Sequence, residues 1–210
     1  MTRPVLVATR NSAKLRELMP WFATAGISIE TLDDAGVLAT SDEDDLEVFD
    51  TFERNALAKA RWFFAQSGGR VVVAEDSGLA VDALDGAPGV RSKRWLGRPD
   101  LSGQALDAAN NAQLLKRLGG VPAPARRARY VCAAACVWPH GEVVFRGETV
   151  GLITMEPRGA NGFGYDPYFW SKDLGMTFAE ADLGAKTRVS HRGRAFMALL
   201  AALRARQVFV

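Results

Sequence analysis

The strongest constraint on the fold is a pattern that occurs twice: a short apolar run stopped by polar residues. The first copy is "VLVATRNSAKLREL" (5–18), where Val5, Leu6, Val7 and Ala8 give way to Thr9, Arg10, Asn11 and Ser12. Lys14 then opens a segment with Leu15, Leu18, Met19 and Phe22 at helical spacing. The second copy is "VVVAEDSG" (71–78), four apolar residues followed by Glu75, Asp76 and Ser77. Buried strands with polar residues at their C-terminal ends, alternating with helices, predict an α/β protein. Further helices are expected over 12–25 (with Pro20 inside), 51–66, 103–120 and 190–206, the last capped by Ser190. "ISIETL" predicts a second strand, and "DGAPG" (85–89) a turn. "ARYVCAAACVW" and "GEVVFRGETVGLIT" flank Pro139-His140-Gly141 and predict an antiparallel hairpin, so the sheet should be mixed.

Size and charge narrow the field. A chain of 210 residues can bury one good-sized core, and a net charge of +2 is too mild to argue for nucleic acid or a membrane surface. The short basic cluster "PARRARY" (124–130) reads as a solvated strand entry. No apolar run is long enough for a transmembrane helix, and "MTRPVLVATRN" lacks the features of a signal peptide. The two cysteines, Cys132 and Cys136, share one face of their element and read as buried thiols, which points to a reducing, cytoplasmic setting. No phosphate-binding P-loop, dinucleotide fingerprint, zinc motif or nucleophile elbow is present.

The polar strand ends are where an α/β sheet places ligands, because amides and helix N-termini converge there. An anion facing Thr9–Lys14 would meet free amides, hydroxyls and an ammonium; alternatively, Asn11 or Ser12 simply caps the helix. Adjacent Glu75 and Asp76 after four apolar residues are partly desolvated, which is costly without a partner. A divalent cation such as Mg2+ is one such partner; a water-facing turn acid is the other reading. "NGFGYDPYFW" (161–170) is an irregular loop whose Phe163 or Tyr165 could stack on a base or anchor the loop to the core. "SHRGR" sets His191, Arg192 and Arg194 in the first turn of the last helix, where cations oppose the helix dipole unless an anion or polar ligand is near. Lys59 and Lys186 carry no message alone. The acidic run "SDEDDLEV" (41–48) reads as a solvated loop or helix entry.

Taken in order, "TRNSAK", "TFERNALAKAR" (51–61), "AEDSGLAVDALDGAPGVRSKRW" (74–95), "NN" (110–111), "EPRGANGFGYDPYF" (156–169) and "SHRGRA" (190–195) resemble one family: the Ham1-like nucleoside triphosphate pyrophosphatases, also called inosine triphosphatases. The resemblance spans nearly the whole chain. It implies a single two-lobed domain over 1–210, an elongated mixed sheet with helices around a central cleft, and usually a homodimer. It also implies Mg2+-dependent hydrolysis of ITP, dITP or XTP to the monophosphate and pyrophosphate, with no nucleic-acid or membrane partner. By the same resemblance, Thr9, Arg10, Asn11, Ser12, Ala13 and Lys14 cradle the triphosphate, and Asp76 serves the metal or acts as base, with Glu75 beside it. Ser77 contacts substrate; Lys59, Lys186, Lys14 and Arg192 offset the phosphate charge. Phe163, Gly164, Tyr165 and Asp166 hold the base, and His191 with Arg192 reads its 6-position.

Two residues depart from the family pattern. Arg54 stands where the family has a Glu near the metal, and Arg10 where many members have Gly. The first departure raises an alternative: a nucleotide-binding protein whose catalysis is weak or lost.

Overall fold

A computed structural model describes residues 4–208. The reading of the extreme N-terminus as carrying no leader touches Met1 to Arg3, which lie outside the described residues. Seven strands form one mixed sheet in the order β2-β1-β3-β4-β5-β6-β7. They are β1 (Val5–Val7), β2 (Ile29–Thr31), β3 (Val72–Val81), β4 (Arg127–Trp138), β5 (Gly141–Ile153), β6 (Phe169–Ser171) and β7 (Met176–Thr177). β1 runs parallel to both β2 and β3, whereas β6 is antiparallel to β5 and β7. Among the described residues five α-helices accompany the sheet: α1 (Ser12–Thr24), α2 (Phe52–Gln66), α3 (Gly103–Arg117), α4 (Leu183–Val189) and α5 (His191–Ala205). Among the described residues, no helix is long and apolar enough to cross a membrane.

The chain divides into two compact units. The first takes the chain up to Asp76, Cys132–Gly147 and everything from Arg192 onward; the second takes Ser77–Val131 and Glu148–His191. β3, β4 and β5 are long enough to give one half to each.

In the first unit, Leu18 and Phe22 from α1 and Ala195, Phe196, Leu199 and Leu203 from α5 pack with Val5, Val7, Val73, Cys132 and Cys136. The spacing of the helical residues is the period that keeps one stripe of a helix against a sheet. Both cysteines are free and buried, as their spacing predicts. In the second unit, the core gathers Leu79, Val81, Leu114, Tyr130, Ile153, Phe169 and Phe178. Tyr130 lies 4.7 Å from Phe169 and 5.8 Å from Phe178, an aromatic cluster in the tilted and stacked arrangements that rings prefer.

One sequence expectation is corrected. β3 does not end at Ala74: it continues through Glu75, Asp76 and Ser77 to Val81. The two carboxylates are therefore mid-strand residues, 2% and 4% exposed, and not groups beyond a strand end. A strand can carry charges there only if each charge is met by other groups.

Candidate active site

In the first unit, those other groups are supplied by three helices, α1, α2 and α5. Asn11 caps α1, its Oδ1 accepting from the amides of Ala13 at 2.9 Å and Lys14 at 3.2 Å. The capping alternative thus describes Asn11, and it corrects the picture of free amides: those of Ala13 and Lys14 are already engaged. Lys14 and Glu17, three residues apart, share a face of α1. Lys14 Nζ forms an ion pair with Glu75 Oε1. The Arg192 guanidinium, from the first turn of α5, pairs with Glu17 Oε2 through Nη1 and with Glu75 Oε2 through Nη2 at 3.4 Å. Cys132 Sγ lies 3.3 Å from the same Glu75 oxygen. The result is a buried alternation of two acids and two cations: Glu17, Arg192, Glu75, Lys14.

Burial alone would raise the Glu75 carboxyl, but Lys14 and Arg192 outweigh it and hold it well below the ordinary carboxylate range. Lys14 shows the mirror balance: burial lowers it, Glu75 raises it, and the net shift is upward. The Cys132 thiol is pushed well up by burial and by the Glu75 charge, so it stays protonated and inert.

Asp76 points to different partners. Its Oδ2 accepts from Asn55 Nδ2 at 2.9 Å. Asn55 is fully buried on α2 and also holds Phe49 by both backbone groups, accepting from its N–H at 2.8 Å and donating to its C=O at 3.1 Å. The segment before α2 is thereby fastened to the strand that carries Asp76. That segment includes Glu47, which forms an ion pair with Lys59 Nζ; the same ammonium donates to the Glu75 carbonyl at 3.1 Å. Burial raises the Asp76 carboxyl to about 6, with the Glu47 charge adding to the rise and Lys14 and Asn55 opposing it.

These neighbours decide how well Mg2+ fits. Asp76 and Glu47 offer hard oxygen donors near enough for the Glu47 charge to raise Asp76, with Lys59 paired to Glu47 on one side. Mg2+ binds through one or two carboxylates and fills its remaining positions with water and phosphate oxygens, so this pair suits it. Among the described residues, no three His, Cys, Asp or Glu side chains gather into a cluster that could hold a metal by themselves. Glu75, nominated beside Asp76, has its carboxylate taken by Lys14 and Arg192 instead.

Other nominated residues also sit differently than expected. Arg10 is turned onto Glu43, with Nη2 to Oε1 at 2.7 Å and Nε to Oε2 at 3.0 Å, and donates to the Val37 carbonyl at 3.0 Å. Its guanidinium secures the 33–43 segment. Arg54 is exposed, its guanidinium 4.3 Å from the Phe49 ring centroid. Glu53 binds Arg146 at 2.7 Å. Thr9 and Ser12 flank the Asn11 cap, Thr9 Oγ1 accepting from the Asn11 amide at 3.2 Å.

In the second unit, Phe163–Asp166 form a tight turn. Asp166 Oδ2 accepts from the Phe163 amide at 2.8 Å and from Lys186 Nζ at 2.5 Å. The Lys186 ammonium stands 5.0 Å from the Phe163 ring centroid and 5.3 Å from that of Phe178. Lys186 is therefore a buried cation with a carboxylate and two ring faces as partners, not a solvated lysine. Tyr165 OH donates to the Ser92 carbonyl at 2.8 Å. His191 stacks on Tyr130, centroids 4.6 Å apart and planes 9° from parallel. Ser77 is half-buried on β3.

A family model described as the Ham1 family matches residues 5–202. The chain belongs to the Ham1 family. It is 48% identical over 201 residues to a dITP/XTP pyrophosphatase of Frankia alni, covering 95% of this chain and 96% of that relative. It is 49% identical over 204 residues to a dITP/XTP pyrophosphatase of Mycolicibacterium paratuberculosis, covering 95% of each. Solved structures agree. A HAM1 protein from Coxiella burnetii superposes with a TM-score of 0.81 at 33% identity, over 96% of this chain and 98% of that one. A nucleoside-triphosphatase / dITP/XTP pyrophosphatase from Mycobacterium abscessus gives 0.72 at 44% identity, over 94% and 99%. Family membership also accounts for the order of the motifs along the sequence.

Three residues of the network around Glu75 and Asp76 escaped sequence reasoning: Glu47, Asn55 and Glu17. Glu47 lay hidden in a run of acids that reads as solvated. Asn55 had a signal, being a polar residue on the apolar stripe of α2 between Phe52 and Ala56. Glu17 likewise neighbours Leu18 on the buried stripe of α1.

Proposed function

We propose that this Ham1-family chain hydrolyses deaminated purine nucleoside triphosphates (dITP, XTP and ITP) to the monophosphate and pyrophosphate with Mg2+. The observation that carries the reading is the setting of Asp76: a buried carboxyl raised to about 6, beside Glu47 and between two lysine-bearing helices, in a chain matched end to end by dITP/XTP pyrophosphatases.

Lys14 and Lys59 provide positive charge for the triphosphate, and Ser12, Thr9 and Ser77 provide hydroxyls. Asp76 and Glu47 would hold Mg2+, which neutralises phosphate charge and polarises the bond to be broken. Ionised Asp76 can take a proton from an attacking water; the water oxygen joins phosphorus as the bond between the α- and β-phosphates breaks. Phe163 offers a ring for the base, and His191 a donor for a 6-oxo group. Adenine presents an amino group there, and opposing two donors leaves one unpaired at a cost of about 1–3 kcal/mol. The protein works as a single two-lobed domain over 1–210, as a homodimer, in the cytoplasm. Against the competing reading, binding without turnover because Arg54 replaces the family's Glu, stand Glu47 as a second carboxylate beside Asp76 and the dITP/XTP pyrophosphatases that the chain matches.

The test is a nucleotide panel (dITP, XTP, ITP, dATP, dGTP) with and without Mg2+, products identified, beside Asp76→Asn. Pyrophosphate release from dITP and XTP that is lost in the variant supports the proposal. Full turnover by Asp76→Asn, or equal turnover of dATP, overturns it.

A further inference from the structure

The Phe163–Asp166 turn is held from outside by a helix to which no role has been assigned. On α3, Asp107 and Asn111 lie four residues apart and so share a face. Asp107 Oδ2 accepts from the Gly164 amide at 2.8 Å, and Asn111 Nδ2 donates to the Gly164 carbonyl at 2.9 Å. Both backbone groups of one residue are thus taken by an acceptor and a donor from a single helical turn. Gly164 has φ +62°, the left-handed region, and no atom lies within 4 Å of the place a Cβ would occupy. The two hydrogen bonds from α3 hold both of its backbone groups in that conformation. Asn110, next along α3, donates to the Lys93 carbonyl at 3.2 Å, and the Tyr165 hydroxyl reaches the adjacent Ser92 carbonyl at 2.8 Å. One helix therefore fixes both the turn and the segment on which the turn's tyrosine rests.

We infer that Asp107 and Asn111 are positioning residues for nucleobase recognition. They lock Gly164 in its left-handed conformation and so set the orientation of Phe163 and of the turn's backbone groups toward a purine. This rests on the reading that the turn meets the base. Loosening the clamp enlarges the number of loop conformers, of which only a fraction binds; the apparent affinity falls by that fraction while bound substrate reacts as before. Discrimination falls as well, since a mobile donor set no longer imposes an unpaired group on the wrong base.

Asp107→Ala and Asn111→Ala are expected to raise KM for dITP about ten-fold, the size of effect that one lost buried hydrogen bond produces, with kcat within about two-fold of wild type. The ratio of kcat/KM for dITP over dATP falls in step. Asp107→Asn keeps an oxygen acceptor for the Gly164 amide and restores wild-type KM. Amide exchange supplies a readout that needs no substrate: the Gly164 N–H is slow in the wild type and at least ten-fold faster in Asp107→Ala. A fast Gly164 amide in the wild type overturns the clamp whether or not the variants fold. So does a loss of kcat for dITP and dATP alike that Asp107→Asn does not rescue. If the wild type itself turns over dITP and dATP equally while Gly164 stays protected, base reading has failed and not the clamp.

Discussion

Replacing Glu75 by Gln separates two roles for that carboxylate, metal ligand and buried counter-ion. In the folded protein the charges of Glu17 and Glu75 balance those of Lys14 and Arg192, and all four side chains are between 2% and 17% exposed. Glu75→Gln keeps the shape and an amide oxygen but leaves one cation uncompensated. Breaking a buried pair from one side costs about 3–5 kcal/mol, against a total folding stability of about 5–15 kcal/mol. For a domain of this size each kcal/mol shifts Tm by about 2–4 °C, so the melting temperature should fall by roughly 6–20 °C. The lower end applies if the amide oxygen keeps a hydrogen bond from Lys14.

The assay is thermal unfolding followed by circular dichroism at pH 7.5, with Lys14→Met and the double variant completing a cycle. Because the partners touch, the double variant should be more stable than the sum of the single losses by about 0.5–3 kcal/mol. The pH dependence has a fixed sign. The folded Glu75 carboxyl lies well below the ordinary value of 4.5, so its contribution is complete above that value and is lost as pH falls through the folded one. Wild type and Glu75→Gln should therefore converge only in strong acid. The Mg2+ concentration for half-maximal turnover should stay where it is in wild type, with KM rising as Lys14 loses its anchor. A Tm within 2 °C of wild type, strict additivity in the cycle, or a large shift in Mg2+ requirement would refute the counter-ion assignment.

Asp76→Asn should abolish turnover by about 10²-fold or more, yet stabilise the metal-free protein at pH 8. The sign follows from a folded pKa of about 6, above the ordinary 3.8: ionised Asp76 is a net penalty, fully felt above pH 6 and absent below pH 4, worth up to about 3 kcal/mol. Melting curves of both proteins at pH 4 and pH 8 check it. Arg54→Glu should leave the Mg2+ titration of dITP hydrolysis unchanged, because the side chain stands on Phe49. Gly162→Ala should destabilise by at least about 1–3 kcal/mol, since its Cβ would lie 2.1 Å from Asp166 Oδ2 at φ +76°; the loss is read in a urea melt.

Local chemistry made much of this structure legible. The start of α1, the hairpin of β4 and β5, the buried thiols and the irregular aromatic loop all follow from patterns a few residues long. What stayed hidden depends on partners distant in sequence. Glu75 and Asp76 look like the end of a strand because nothing nearby reveals the groups that let a strand carry them. Those groups are Arg192, 117 residues from Glu75, and Asn55, 21 residues from Asp76. Arg10 looked free because Glu43 lies 33 residues on, in a run of acids with no local sign of which one is used.

His191 and Arg192 show how far a local argument can reach. As neighbours on α5 their side chains point about 100° apart, so one contact surface could not be assumed for both. His191 joins the aromatic stack on Tyr130 in the second unit, while Arg192 belongs to the charge network of the first. A cation in a helix's first turn is opposed by the helix dipole and requires a nearby anion. That requirement was readable from "SHRGR" alone; the fold meets it with Glu17 and Glu75. Burial lowers the Arg192 guanidinium, but Glu75 and Glu17 outweigh it and the net shift is upward, so the charge is retained; loss of this side chain should register first as instability of α5 against α1 and only then as altered substrate preference.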